Sequence, residues 1–180
     1  MASIREKYNK EVIPKMKEQF GFKNDLEVPR ILKVVVNAGT GKFLKDANML
    51  EDVYKSLAQI TGQKPLATEA RQSIAGFKIR QGLKVGAKVT LRGRRMWDFI
   101  EKLVGAALPR IRDFRGLKES NIDQSGNLNI GIKEHLIFPE IFPEQVKNIF
   151  SFQVTVVTNA GKDKGLELFK LLGFPMELKR

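Results

Sequence analysis

The chain contains no cysteine, which excludes a disulfide framework, thiolate metal sites and a cysteine nucleophile, and suits a reducing cytoplasm. His135 is its one histidine. A metal centre would therefore rest on carboxylates, and no Asp or Glu cluster has ligand-like spacing, so neither metal nor cofactor is expected. A Ser-His-Asp triad would need His135 as its base, yet no Gly-x-Ser-x-Gly turn accompanies it. A packed or hydrogen-bonded histidine is the expected role, and no catalytic residue is assigned. No uncharged apolar run approaches the ~20 residues that span a bilayer. The first ten residues, Met1–Lys10, are charged and lack an apolar stretch of signal-peptide length.

Acidic residues are scarce in one place above all. The net charge is +12, a balance that favours a polyanionic partner over a neutral one. Residues 1–60 hold 11 basic and 8 acidic side chains and residues 119–180 hold 7 and 8, but residues 61–118 hold 14 and 4. Between Arg71 and Arg95 there are eight basic residues and no acidic one. A field that concentrated costs self-repulsion unless a partner neutralises it.

What is present reads as a mixed fold with no repeat and no low-complexity linker. Ile4, Tyr8, Val12, Ile13, Met16 and Phe20 share one side of a helix over Ser3–Phe20, with a kink or two short helices expected at Pro14. Arg30–Asn37, centred on Val34-Val35-Val36, predicts a buried strand that ends in the turn Gly39-Thr40-Gly41. Asn48–Ile60 predicts a helix closed by Gly62. Lys64–Ile79 reads as extended and breaks at Gly76. Leu83–Arg92 alternates cleanly, with Leu83, Val85, Ala87, Val89 and Leu91 on one side and Lys84, Gly86, Lys88, Thr90 and Arg92 on the other. Met96–Arg112 returns to helical spacing, disturbed at Pro109. A polar excursion over 113–126, short strands at 127–132 and 152–158, and a helix over 163–172 complete the chain.

The expected fold class is α+β, one domain over residues 1–180, with a largely antiparallel sheet and helices packed on one face. Strand parity then puts Lys33, Asn37, Lys84, Lys88, Thr90, Arg92, Asn127, Asn129, Gln153 and Thr155 on the opposite face, which is polar, basic and RNA-binding by expectation. That face lacks the exposed aromatics on which single-strand binders stack bases. It suits backbone phosphates and the 2′-hydroxyl-lined minor groove of folded RNA.

Three further segments draw notice. Ala38–Lys42 follows a strand as a phosphate-binding loop would, but Val36 and Phe43 stand where that motif needs Gly and Ser or Thr. Residues 71–82 read either as a projecting loop, with Phe77 at its tip and Lys78 and Arg80 beside it, or as an ordinary hairpin tip with a buried Phe77. Glu134–Pro143 pairs large apolar residues with prolines and acids, which fits core packing and a protein-docking loop equally.

Five collinear stretches carry a family resemblance: Ile31–Gly39, Ala75–Arg80, Gly131–His135, Ile137–Ile141 and Thr155–Ala160. In these the chain resembles bacterial large-subunit ribosomal protein five along nearly its whole length. The resemblance implies a structural, non-enzymatic protein of the cytoplasmic ribosome that binds 5S rRNA in the central protuberance among other large-subunit components. It implies rRNA contacts at Lys33, Asn37, Thr40, Gln63, Lys88, Thr90, Arg92 and Arg94. It further implies a contact to peptidyl-site tRNA through Ser73, Gly76, Phe77, Lys78 and Arg80. Arg110, Arg112, Arg115, Glu134 and His135, within regions reaching to Gln145, are implied in a bridge to small-subunit protein thirteen. The runner-up is an RNA-modifying enzyme with a cryptic site. A membrane-surface role ranks third and no membrane partner is expected, because the cations alternate as on a strand and do not line an amphipathic helix.

Overall fold

The computed structural model describes residues 3–41, 47–146 and 148–177. Its helices are α1 (Ile4–Lys7), α2 (Ile13–Phe20), α3 (Ala47–Thr61), α4 (Gly93–Lys102) and α5 (Lys162–Leu172). Its strands are β1 (Ile31–Gly39), β2 (Leu66–Glu69), β3 (Lys84–Leu91), β4 (Leu128–Ile132) and β5 (Phe152–Thr158). The five strands form one sheet in the order β2-β3-β1-β5-β4. It is antiparallel, and the fold class is α+β as expected.

The first helical stretch consists of two short helices, one of the two outcomes expected at Pro14. A π-helical turn, Tyr8–Val12, joins α1 to α2, and Pro14 sits in the first turn of α2. The same arrangement recurs where the π turn Leu103–Ala107 follows α4 and precedes Pro109. Proline lacks the N–H and crowds the carbonyl four residues back. A wider turn in the ladder just ahead of it accommodates that loss. At the other end of a helix, Gly62 (φ +64°) takes the left-handed conformation and its N–H returns to the Ala58 carbonyl at 2.8 Å, closing α3.

By contact density the chain forms two compact units, residues 1–34, 91–130 and 155–180 in the first and residues 35–90 and 131–154 in the second. The first holds α1, α2, α4 and α5. Its core is built from Val12, Met16, Phe99, Ile100, Leu103, Leu168 and Leu172, all buried. There Tyr8 packs on Trp97 at 5.7 Å and donates its hydroxyl to the Pro29 carbonyl at 3.0 Å. The second unit holds α3, whose Val53, Leu57 and Ile60 are buried, and a cluster of Phe138, Phe150 and Phe152.

Candidate nucleic-acid interface

In the second unit the geometry follows from β3. Ala87 and Val89 are buried while Lys84 and Lys88 are exposed, so the alternation read from the sequence is the alternation in space. The Thr40 N–H donates to the Val85 carbonyl at 3.0 Å. Counted antiparallel from that bond, Ala38 and Val36 lie opposite Ala87 and Val89, and all four are buried. The same count sets exposed Asn37 beside exposed Lys88, and Val35 beside Thr90. Gln63 is half-buried and donates its Nε2 amide to the Thr90 carbonyl at 3.3 Å, which ties the α3–β2 connection to this strand. On the outer side β2 pairs with β3, Leu66 facing Lys88 and Thr68 facing Gly86.

That pairing brings in two residues that composition did not announce. Leu66 is 69% exposed beside Lys88. Beyond a bulge at Thr68/Glu69, Glu69 comes opposite Lys84, so the run that is acid-free in sequence gains a carboxylate across the strands. Register is the signal, and it cannot be read from β3 alone. Thr40 is a correction: its side chain is fully buried and its Oγ1 has no hydrogen-bond partner. It props the end of β1 and presents nothing outward. Lys42 and Phe43, weighed for a phosphate loop, lie outside the described residues.

In the first unit Lys33 is half-buried on β1. Arg92 is exposed at the N-cap of α4, and Arg94 and Arg95 are exposed in its first turn. Three cations at the positive end of a helix oppose its dipole, an arrangement that an anion relieves. Arg94 has one weak partner, Asp98 at 3.8 Å, and both side chains are exposed, so the pair contributes little. Thr155 and Asn129 of the inferred polar face hydrogen-bond to each other at 2.8 Å. Asn127 does not join that face. It holds Asp123 through its amide groups and accepts the Thr158 N–H at 3.0 Å, fastening the turn before β4.

Residues 71–82 make a short hairpin. Ile74 and Ile79 exchange backbone hydrogen bonds at 2.9 and 3.2 Å around a single 3-10 turn, Ala75–Phe77. Lys78 takes a left-handed φ of +54° to close it. Ser73 turns its Oγ inward to accept the Gln81 N–H at 3.0 Å, while Gly76, Lys78 and Arg80 are exposed. Phe77 is 72% exposed, which decides against a buried hairpin tip.

Arg110, Arg112 and Arg115 are exposed in the first unit. The C-terminal segment braces their loop: Leu117 donates to the Pro175 carbonyl at 2.7 Å and Glu177 to the Leu117 carbonyl at 2.9 Å. In the second unit Glu134 is exposed, but His135 is fully buried. The His135 ring stacks on Phe150 at 4.2 Å, its Nδ1 accepts the Phe150 N–H at 3.5 Å and its Nε2 has no partner. Burial pushes its pKa below the ordinary histidine value. This is the packed histidine expected from its residues, and its side chain cannot itself meet a partner as the family resemblance implied. The side chain of Gln145 lies outside the described residues.

Among the described residues no group of three His, Cys, Asp or Glu side chains is placed to hold a metal ion, and no helix is long and apolar enough to cross a membrane.

Comparison with known proteins supplies the family. Residues 24–80 match the family model of ribosomal protein L5, and residues 84–176 match the model of the C-terminus of the same ribosomal protein family. The chain is 47% identical to the large ribosomal subunit protein uL5 of Halothermothrix orenii over 97% of this chain and 98% of that protein. It is 48% identical to uL5 of Rubrobacter xylanophilus, again over 97% and 98%, and 48% identical to uL5 of Kosmotoga olearia over 97% and 96%. On two family matches and near-full-length identity of this order, the chain belongs to the ribosomal protein L5 family.

Proposed function

We propose that this chain is a structural constituent of the large subunit of the cytoplasmic ribosome, and that its sheet face binds 5S rRNA. The observation that carries the reading is β3: Lys84 and Lys88 stand exposed on one side while Ala87, Val89 and Leu91 are buried on the other. Arg92, Arg94 and Arg95 then follow in exposed positions. A strand fixes Lys84 and Lys88 roughly 13 Å apart on a rigid surface, where backbone phosphates can meet them without ordering the protein further. Asn37, Thr90 and Gln63 add hydrogen-bonding groups suited to ribose and base edges.

Two further contacts belong to the same reading. The hairpin with Phe77, Lys78 and Arg80 at its exposed end is shaped to meet peptidyl-site tRNA. Arg110, Arg112 and Arg115 in the first unit, and separately Glu134 in the second, are the contacts to small-subunit protein thirteen in this reading; all four are exposed. The relatives are named as ribosomal proteins, and the RNA-modifying alternative is set aside on that ground.

Titrating the protein with a 5S rRNA transcript and with an unrelated folded RNA over a salt series tests the reading. Preference for 5S rRNA and a steep fall of affinity with salt are expected, because each phosphate contact releases counterions. Equal affinity for both RNAs would refute it.

A further inference from the structure

We infer that the turn Asp25–Glu27, together with the end of α2 before it, is a docking knob for a second protein, received by a basic segment that carries an apolar side chain. This rests on the large-subunit reading above and not on the 5S rRNA contact. Leu26 is 81% exposed, Phe20 is 37% exposed and Phe22 is half-buried, three large apolar residues within seven positions. Single exposed apolar residues need no explanation, but a cluster rimmed by polar groups marks an interaction site.

The knob is held in shape by its own contacts. Lys17 of α2 holds the Asp25 carboxylate at 2.7 Å, and the Glu27 carboxylate accepts the Lys23 N–H at 3.3 Å. The Glu27 N–H donates to the Asn24 carbonyl at 3.1 Å and closes the turn. The Phe20 and Phe22 rings lie 6.0 Å apart, and the Lys164 ammonium sits 4.9 Å over Phe22. A preset shape of this kind loses little freedom on docking.

Charge selects the class of partner. Phe77 and Leu26 are exposed to a like degree, 72% and 81%, but in opposite fields. No acidic residue lies between Arg71 and Arg95 around Phe77, whereas residues 18–27 hold Glu18, Asp25 and Glu27 against Lys23 alone. Lys17 and Lys164 touch this segment, as does Glu167, which accepts the Gln19 amide at 3.5 Å. With them the surface has four carboxylates and three ammonium groups, in a chain of net charge +12. Phosphates find no cationic excess there, and the Leu26 side chain offers them no hydrogen bond. An apolar side chain flanked by Lys or Arg matches both the exposed leucine and the carboxylates on either side of it. An apolar centre within a charged rim is the anatomy of a protein interface.

Because the chain has no cysteine, Asn24→Cys puts a single thiol beside Leu26 and leaves the apolar residues intact. Asn24 is exposed and its side chain caps nothing. In large subunits reconstituted with this variant, a maleimide, read on this chain by mass spectrometry, should label the thiol at least about tenfold more slowly than in the free protein. A benzophenone carried on the thiol should cross-link to another ribosomal protein, within a segment where an apolar residue lies among basic ones. Adding Leu26→Asp should restore fast labelling, while the thermal unfolding midpoint and 5S rRNA affinity of the free protein stay at their wild-type values. Undiminished labelling in the subunit would overturn the inference, as would protection that Leu26→Asp does not relieve. Cross-links to rRNA alone, or to a second copy of this chain, would overturn it equally. If the unaltered protein does not enter the subunit, the large-subunit reading falls first.

Discussion

Strand β3 and the hairpin at 71–82 come from one acid-free stretch of sequence, yet they hold their cations in different ways. On β3 each exposed lysine alternates with a residue buried in the core, so its position is set by Ala87, Val89 and Leu91 beneath it. In the hairpin no side chain from Arg71 to Gly82 is buried, and the shape is kept by backbone hydrogen bonds, the Gln81 N–H to Ser73 Oγ bond and one left-handed lysine. Local charge is alike and local stability is not. A surface anchored in the core suits a permanent partner, whereas a loop held only by hydrogen bonds within itself sits at the low end of local stability, where contacts to a passing partner are made.

The largest test of this contrast is thermodynamic. Leu91→Ala should cost about 2–5 kcal/mol in denaturant unfolding, the usual toll of an emptied core site. Ile74→Ala in the hairpin should stay within roughly 0.5 kcal/mol. Equal costs would mean that the hairpin is packed as tightly as the strand.

The second test is binding. Replacing Thr90, Arg92 and Arg94 together by Ala should lower 5S rRNA affinity by about tenfold or more and flatten its salt dependence. Deleting Gly76–Arg80 should leave both unchanged while impairing tRNA positioning in reconstituted ribosomes. Loss of 5S binding on that deletion would merge the two regions into one surface.

A smaller effect follows from His135. Its folded-state pKa is depressed by burial, so the unfolded chain binds the proton more readily. Folding stability should therefore fall as pH drops below about 6.5 and be restored above it. Hydrogen exchange at pH 5.5 against 7.5 should show opening around residues 135–150 and little change on β3. His135→Phe should remove much of that pH response.

The smallest effect is expected at Gln63→Ala. Loss of its hydrogen bond to the Thr90 carbonyl should cost about 1 kcal/mol or less in stability. It should leave the slope of the salt dependence unaltered, since no charge is removed.

Much of this molecule was legible in its sequence, for reasons that differ by element. A period of two identified β3 and a period of 3.6 identified α3 and α4, because burial on one side is a local demand that each element writes into its own residues, while the run Val34-Val35-Val36 marked β1. The concentration of charge predicted a polyanionic partner for the same reason. The family required the five motifs, since no periodicity names a particular RNA.

What the sequence could not decide was everything that depends on two distant segments meeting. Glu69 opposite Lys84, Leu66 beside Lys88 and Gln63 tied to Thr90 all follow from the register of β2 and α3 against β3, which is set by the whole sheet. Thr40 looked available as a polar residue, and only packing showed its side chain to be buried. Pro14 pointed to a kink or two short helices, and the two short helices are there, but joined by a π turn that only the structure shows. Composition and periodicity by themselves determined which residues would be strand, helix and charged face, because those depend on neighbours in the chain. The tertiary structure alone decided which polar groups reach the surface and which charges face each other, because those depend on neighbours in space.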